Sequence, residues 1–323
     1  MTLRACVPSW RRASGLSWLA VVLVAFTPAR AVAQQTHLLV ITGVPGDEEH
    51  AKKFQQWATT FIEAAKKKEG VPEANITFLS DRGATRPSVE KAFADLAVKA
   101  KANDEVFVLL IGHGSFDGSV AAFNLPGPDL TADDYAKLLS RFTSQRVVFV
   151  NTSSSSGAFL KPLAGPGRII VTGTKTGGER NETDFPQYFV AAFSDPAADR
   201  DRNGHVSVAE AFDYAKTKVT QAFQQKGLLL TEHATLDDGG EGQLAARAFL
   251  GGGESASTLQ VDTSDPELKA LADARDALDR EIAALRAKKA SMEPAAYDAQ
   301  MERLLTDLAI KTKEIRDRQA KKK

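Results

Sequence analysis

The sequence predicts an α/β protein: a mostly parallel sheet with helices on both faces, followed by a C-terminal α-helical hairpin. Three observations carry this prediction. Five apolar runs of strand length, rich in branched residues, recur between residues 37 and 172. Segments of helical period separate most of them, and strands alternating with helices need the crossover connections of a parallel sheet. Near residue 250 this pattern stops at a glycine-rich stretch, and a leucine spacing of three and four replaces it.

The first strand is His37-Leu38-Leu39-Val40-Ile41-Thr42, ended by the Gly43 to Gly46 turn. A helix follows, with Asp47, Glu48 and Glu49 where the helix dipole favours anions and Phe54, Trp57, Phe61, Ile62 and Ala65 on one face. Gly70 stops it. Ile76-Thr77-Phe78-Leu79 is the second strand. Pro87 then opens a helix whose apolar face is Val89, Phe93, Leu96 and Ala100. Val106 to Ile111 form the third strand, Thr131-Ala132-Asp133-Asp134 resembles a capping box, Val147 to Val150 form the fourth strand and Arg168 to Thr172 the fifth.

The 323 residues are 43% hydrophobic and 25% charged, which excludes a disordered, collagen-like or disulfide-scaffold chain. Residues 1–33 hold Arg4, Arg11, Arg12 and Arg30 and no acid, and Arg11-Arg12 precedes the apolar run Leu16 to Phe26. With Ala31-Val32-Ala33 supplying small residues, this reads as a signal peptide cleaved before Gln34. The apolar run is short of the about 20 residues a membrane span needs. The mature chain is therefore expected to be exported, periplasmic or secreted, with no transmembrane segment. Cys6, the sole cysteine, would leave with the signal, so no thiol or disulfide remains. The slightly acidic remainder gives no reason to expect nucleic acid.

The mature chain divides into an α/β domain over 34–250, a flexible linker over 251–264 with Gly251-Gly252-Gly253, a helical hairpin or coiled coil over 265–319, and a basic tail at 320–323. The hairpin pattern is Leu268, Leu271, Leu278, Ile282 and Leu285, then, past Pro294, Tyr297, Met301, Leu304, Leu308 and Ile315. It is expected to engage a partner helix or a second copy of the chain. The basic excess over 311–323 reads as a solvated tail.

In open parallel sheets, ligands bind beyond the carboxyl ends of the strands. The third strand runs into Gly112-His113-Gly114-Ser115 and the fourth into Asn151-Thr152-Ser153-Ser154-Ser155-Ser156-Gly157. Strands lie about 4.8 Å apart, so His113 and a serine at neighbouring strand ends are within reach of a dyad. A structural turn around His113 and a simple serine-rich loop are the alternatives.

The succession of strand, His-Gly, helix, strand and small residues ending in Ser-Gly resembles the caspase and legumain superfamily of cysteine peptidases, including metacaspase-like bacterial members. The resemblance spans roughly residues 36–245 and rests on His113-Gly114 and Ser154-Ser155-Ser156-Gly157. It implies that Ser154 stands where the nucleophilic cysteine would be, with Ser153 a rival if the loop shifts by one. It also implies that backbone N–H groups of Gly114 and Ser154 line an oxyanion pocket and that the loop 173–182 contributes to specificity. A thiol of pKa about 8.5 yields a thiolate beside histidine, whereas a hydroxyl needs an oriented base at the moment of attack. The expectation is a weak or inactive peptidase homologue that binds peptide or protein. The alternatives are an active Ser154/His113 endopeptidase and a structural assembly module acting through the hairpin.

A second pattern, Asp199-Arg200-Asp201-Arg202-Asn203-Gly204-His205-Val206-Ser207-Val208-Ala209-Glu210, fits D-x-[DN]-x-[DN]-G-x5-E at every position. It resembles an EF-hand calcium loop. Asp199, Asp201 and Asn203 offer side-chain oxygens, His205 its carbonyl, Ser207 a direct or water-mediated ligand and Glu210 a bidentate clamp, with Ca2+ the expected ion. An unpaired loop of this kind reads as a structural clip. The acidic stretch Asp237 to Gly242 meets no ligand spacing and reads as a turn, and His233 reads as a structural histidine.

Overall fold

The computed structural model describes residues 34–239, 243–251, 265–287 and 292–320. The expected signal peptide, almost all of the expected linker and residues 321–323 of the tail lie outside the described residues. The strands are β1 (Thr36–Thr42), β2 (Ile76–Leu79), β3 (Glu105–Ile111), β4 (Gly114–Phe116), β5 (Ala121–Phe123), β6 (Leu130–Thr131), β7 (Arg146–Asn151), β8 (Arg168–Thr172) and β9 (Thr235–Asp237). The helices are α1 (Glu48–Lys67), α2 (Arg86–Lys99), α3 (Ala132–Leu139), α4 (Leu160–Leu163), α5 (Phe185–Ala192), α6 (Val208–Gln225), α7 (Gln243–Ala246), α8 (Pro266–Ala287) and α9 (Pro294–Ala320).

The main sheet runs β2-β1-β3-β7-β8-β9, parallel except for the last pair. β1 and β3 are buried along their whole length, as their uninterrupted apolar composition requires. Alternate side chains feed two cores. Leu38, Val40, Phe107, Leu109 and Ile111 join Phe61 of α1, Phe189 of α5 and Val219 of α6. Leu39, Ile41, Val106, Val108 and Leu110 join Phe93 of α2 and Tyr135 of α3 on the other face. Each such side chain contributes about 1.5–3 kcal/mol by leaving water.

Helix ends follow the sequence signals. Asp47 caps α1 by accepting the His50 N–H at 2.9 Å. Thr131 and Asp134 form the anticipated capping box of α3, and Ser207 and Glu210 form a second at α6.

Two features escaped the sequence pattern. β9 pairs antiparallel with β8 at the sheet edge, and its three half-buried residues are too few to show a period. The expected turn over 237–242 thus begins inside a strand, and its residues 240–242 lie outside the described residues; Asp238 accepts the Ala245 N–H at 3.0 Å. The segment after His113, likewise, is not plain loop: β4, β5 and β6 make a small antiparallel sheet.

α8 and α9 pack through Ile282, Leu285, Tyr297, Met301, Leu304 and Leu308. Arg318 near the end of α9 lies 3.2 Å from Asp265 at the start of α8, so the pair is antiparallel. No described helix is long and apolar enough to cross a membrane.

Candidate functional site

β3 and β7 are parallel neighbours with Leu110 opposite Asn151, so the His113 and Ser154 segments leave the sheet side by side at one edge. Thr152 locks the crossing, its N–H and its hydroxyl both donating to the Leu110 carbonyl at 3.1 and 2.8 Å. Gly114 permits it: a Cβ there would overlap the Ser154 carbonyl oxygen and come 2.5 Å from Ser153 Oγ.

The two side chains nevertheless take different partners. The Ser154 hydroxyl donates to the Gly114 carbonyl at 3.0 Å and accepts the Gly114 N–H at 3.3 Å. The Gly114 N–H assigned to an oxyanion pocket is thus satisfied by this hydroxyl. His113 turns to α1, with Nε2 3.2 Å from the Pro45 carbonyl and its ring against Phe54 and His50 at 5.3 and 5.0 Å. Among the described residues no hydrogen bond joins His113 to Ser154. The rival Ser153 is fully buried and gives its hydroxyl to Asn151 Oδ1 at 2.7 Å.

The serine loop is wedged against the loop after β8. Ser155 adopts a left-handed φ of 57°, and its N–H donates to the Glu179 carbonyl at 2.8 Å. The Gly157 N–H donates to Thr174 Oγ1 at 2.8 Å, and a Cβ at Gly157 would overlap the Lys175 backbone. Thr183 donates to the Thr152 carbonyl at 2.6 Å. The loop 173–182 therefore flanks the strand ends. Two glutamates hold it. Glu179 faces His233 Nδ1 at 3.0 Å, and buried Glu232 accepts the N–H groups of Asp184 and Phe185 at 2.8 Å each. Burial pushes the Glu232 carboxyl up to about 7 against those two bonds. His233 is the structural histidine anticipated.

His50 belongs to the same edge. Nδ1 lies 2.7 Å from Asp47 Oδ2 and Nε2 lies 3.2 Å from Glu182 Oε1. Hydrogen bonds to Glu182 and then Asp47 hold the imidazole's pKa above its ordinary value.

The acidic loop 199–210 lies apart, between α5 and α6. Carboxylate oxygens of Asp199, Asp201 and Glu210 come within 4.8 Å of one another. Gly204, at φ 92°, donates its N–H to Asp199 Oδ2 at 2.8 Å, Asn203 donates to Asp201 Oδ1 at 2.9 Å, and His205 donates to Asn203 Oδ1 at 2.8 Å. Val206 is fully buried as the apolar plug. Asp199 Oδ1 is buried with no hydrogen-bond partner. Burial, then the Glu210 charge, push the Asp201 carboxyl up to about 8, and burial likewise raises Glu210. Ser207 and Glu210 face each other: Glu210 Oε2 accepts both the N–H and the hydroxyl of Ser207, while Oε1 accepts the Arg200 N–H. The His205 ring turns outward to Glu69, 2.8 Å from its Oε2.

Sequence reasoning missed His50, Glu179, Glu182 and the Pro45 carbonyl. Asp47 three residues before His50 is a readable local signal; the other contacts join segments distant in sequence.

No curated protein sequence matches the chain. Among solved structures, the crystal structure of protein GSU0716 from Geobacter sulfurreducens aligns with a TM-score of 0.43 at 13% identity, over 63% of this chain and 92% of that one. Residues 87–236, which contain His113, the serine loop, the loop after β8 and the acidic loop, match the sequence profile of the Peptidase C13 family.

Proposed function

We propose that this chain is an exported peptidase homologue, with Ser154 in the place of a cysteine nucleophile, whose pocket binds peptide or protein segments with little or no turnover. One observation carries the reading: the Ser154 hydroxyl is bonded at both ends to the Gly114 backbone, while His113 addresses the Pro45 carbonyl. A serine attacks only when a base takes its proton, and among the described residues the Ser154 hydroxyl is bonded to backbone and to no base. The ordered loop 173–182 against the serine segment still supplies a shaped edge, so recognition survives without catalysis. Export is supported by the arginine-led apolar segment and small-residue site within residues 1–33.

The loop 199–210 serves as a Ca2+ clip in this reading. Three carboxylates brought together, one with an orphaned buried oxygen, fit a hard divalent cation better than they fit one another. Asp199, Asp201, Asn203 and Glu210 would hold it with the His205 carbonyl and Ser207. The ion would neutralise the loop and fasten α5 to α6.

Digestion and retention of a peptide library by the mature chain in calcium test the proposal. Peptides are expected to be retained and not cut, with cutting gained in Ser154→Cys. Cleavage by the parent that disappears in both Ser154→Ala and His113→Ala overturns it.

A further inference from the structure

We propose that His50 is a positioning residue of the His113 edge: as an imidazolium it bridges Asp47 at the cap of α1 to Glu182 in the loop after β8, and so holds that loop beside His113. The geometry is specific. Each ring nitrogen faces a carboxylate oxygen, at 2.7 and 3.2 Å. A neutral imidazole has one N–H and one lone pair, so only the doubly protonated ring donates to both acids. The ring also stands edge-on to His113, with centroids 5.0 Å apart and planes at 63°. His50 lies outside the residues that match the family profile, so the family match assigns it no role.

The charged groups around it come from each element packed there. Asp47, Glu49 and Lys53 belong to α1 and its cap, Glu182 to the loop, and His113 to the end of β3. Lys53 is held by Glu49 at 2.8 Å and acts on Glu182 and Asp47 only through space, so His50 takes the direct contacts to those two acids. The two carboxylates raise the folded-state pKa of the ring, so the bridge is complete below about pH 6.5, the ordinary histidine value, and is lost as pH rises through the raised value. Breaking it frees Glu182. The same loop supplies the Glu179 carbonyl that receives the Ser155 N–H, so loosening passes to the serine segment.

The consequence for ligand binding rests on the peptide-binding reading; the bridge itself does not. Amide hydrogen exchange over residues 180–184, corrected for intrinsic rates and measured on the ligand-free full chain from about pH 5.5 to 8.5, therefore tests it separately. Protection in the parent is expected to fall about five- to tenfold across that range. His50→Gln is expected to give low protection with no pH dependence. Glu182→Gln, a change at a half-exposed side chain that leaves the core intact, is expected to do the same. A parent profile that stays flat, or either variant keeping the parent's profile, overturns the proposal. Should the bridge be confirmed, peptide retention by the parent falls with rising pH; retention that is absent at every pH refutes peptide binding and leaves the bridge standing.

Discussion

The serine loop after β7 and the acidic loop before α6 are both tight and polar, the first buried and the second half-exposed up to Val206, and they solve opposite problems. In the first, hydroxyls and glycine backbone satisfy one another: Ser154 with Gly114, Ser153 with Asn151, Gly157 with Thr174. In the second, acids are gathered until Asp201 is driven up to about 8 and Asp199 keeps an orphaned oxygen. The first is closed and neutral. The second holds charge that a cation would relieve. The difference separates a segment whose polar groups are satisfied internally from one whose acids are left only partly paired.

The comparison breaks most directly at the glycines. Gly114→Ala forces a Cβ into the Ser154 carbonyl and is expected to cost about 3 kcal/mol or more, because the overlapping atoms are backbone and cannot rotate away. A urea midpoint unchanged from the parent would mean that the strand ends are looser than the hydrogen bonds indicate.

Next in size, calcium at about a hundred times its dissociation constant is expected to stabilise the folded chain by about 2.7 kcal/mol, read as a higher Tm. Glu210→Gln removes that rise. No response in the parent discards calcium from the loop. Arg316 of α9 reaches this loop, since a Cβ at Gly204 would lie 3.0 Å from its guanidinium, so part of the loop's charge is already offset.

A carboxylate remote from both loops sharpens the reading of pH. Glu105 starts β3 fully buried, with neither oxygen hydrogen-bonded and Arg146 3.6 Å away, and burial pushes it up to about 8. Its folded pKa lies above the unfolded value, so the folded state holds the extra proton between about 4.5 and 8. Stability from this group is present at the acid end and falls as pH rises through that window. Glu105→Gln is expected to flatten the fall in urea midpoint between about pH 5 and pH 8 and to raise stability at the alkaline end. If the slope persists, it belongs to the acidic loop or to Glu232, and the part that calcium abolishes is the loop's.

The smallest effect belongs to Ser154→Ala, which removes two neutral hydrogen bonds to Gly114 and is expected to cost about 1 kcal/mol. A larger loss would show that the hydroxyl organises the strand ends beyond its own two bonds.

Much of this site was legible in the chain itself. Gly114 and Gly157 flank the polar segments because the backbone there allows no side chain, and Asp199 to Glu210 carry their spacing in one continuous stretch. What stayed hidden joined distant segments. His113 was readable as a residue at a strand end but its rotation toward Pro45 and His50 depends on α1 packing above it. Glu182 looked like one charge among several until folding set it 3.2 Å from His50.

The sequence by itself determined the layered sheet, the helix caps and the order of the acidic residues in the loop, because periodicity, capping and loop spacing act over a few residues and need no partner. Only the tertiary structure decided which hydroxyl lies beside Gly114, which carboxylates face the two nitrogens of His50, and that a three-residue strand closes the sheet edge. Those outcomes depend on distances between segments tens of residues apart, and such distances are fixed by the packing of both faces of the sheet together.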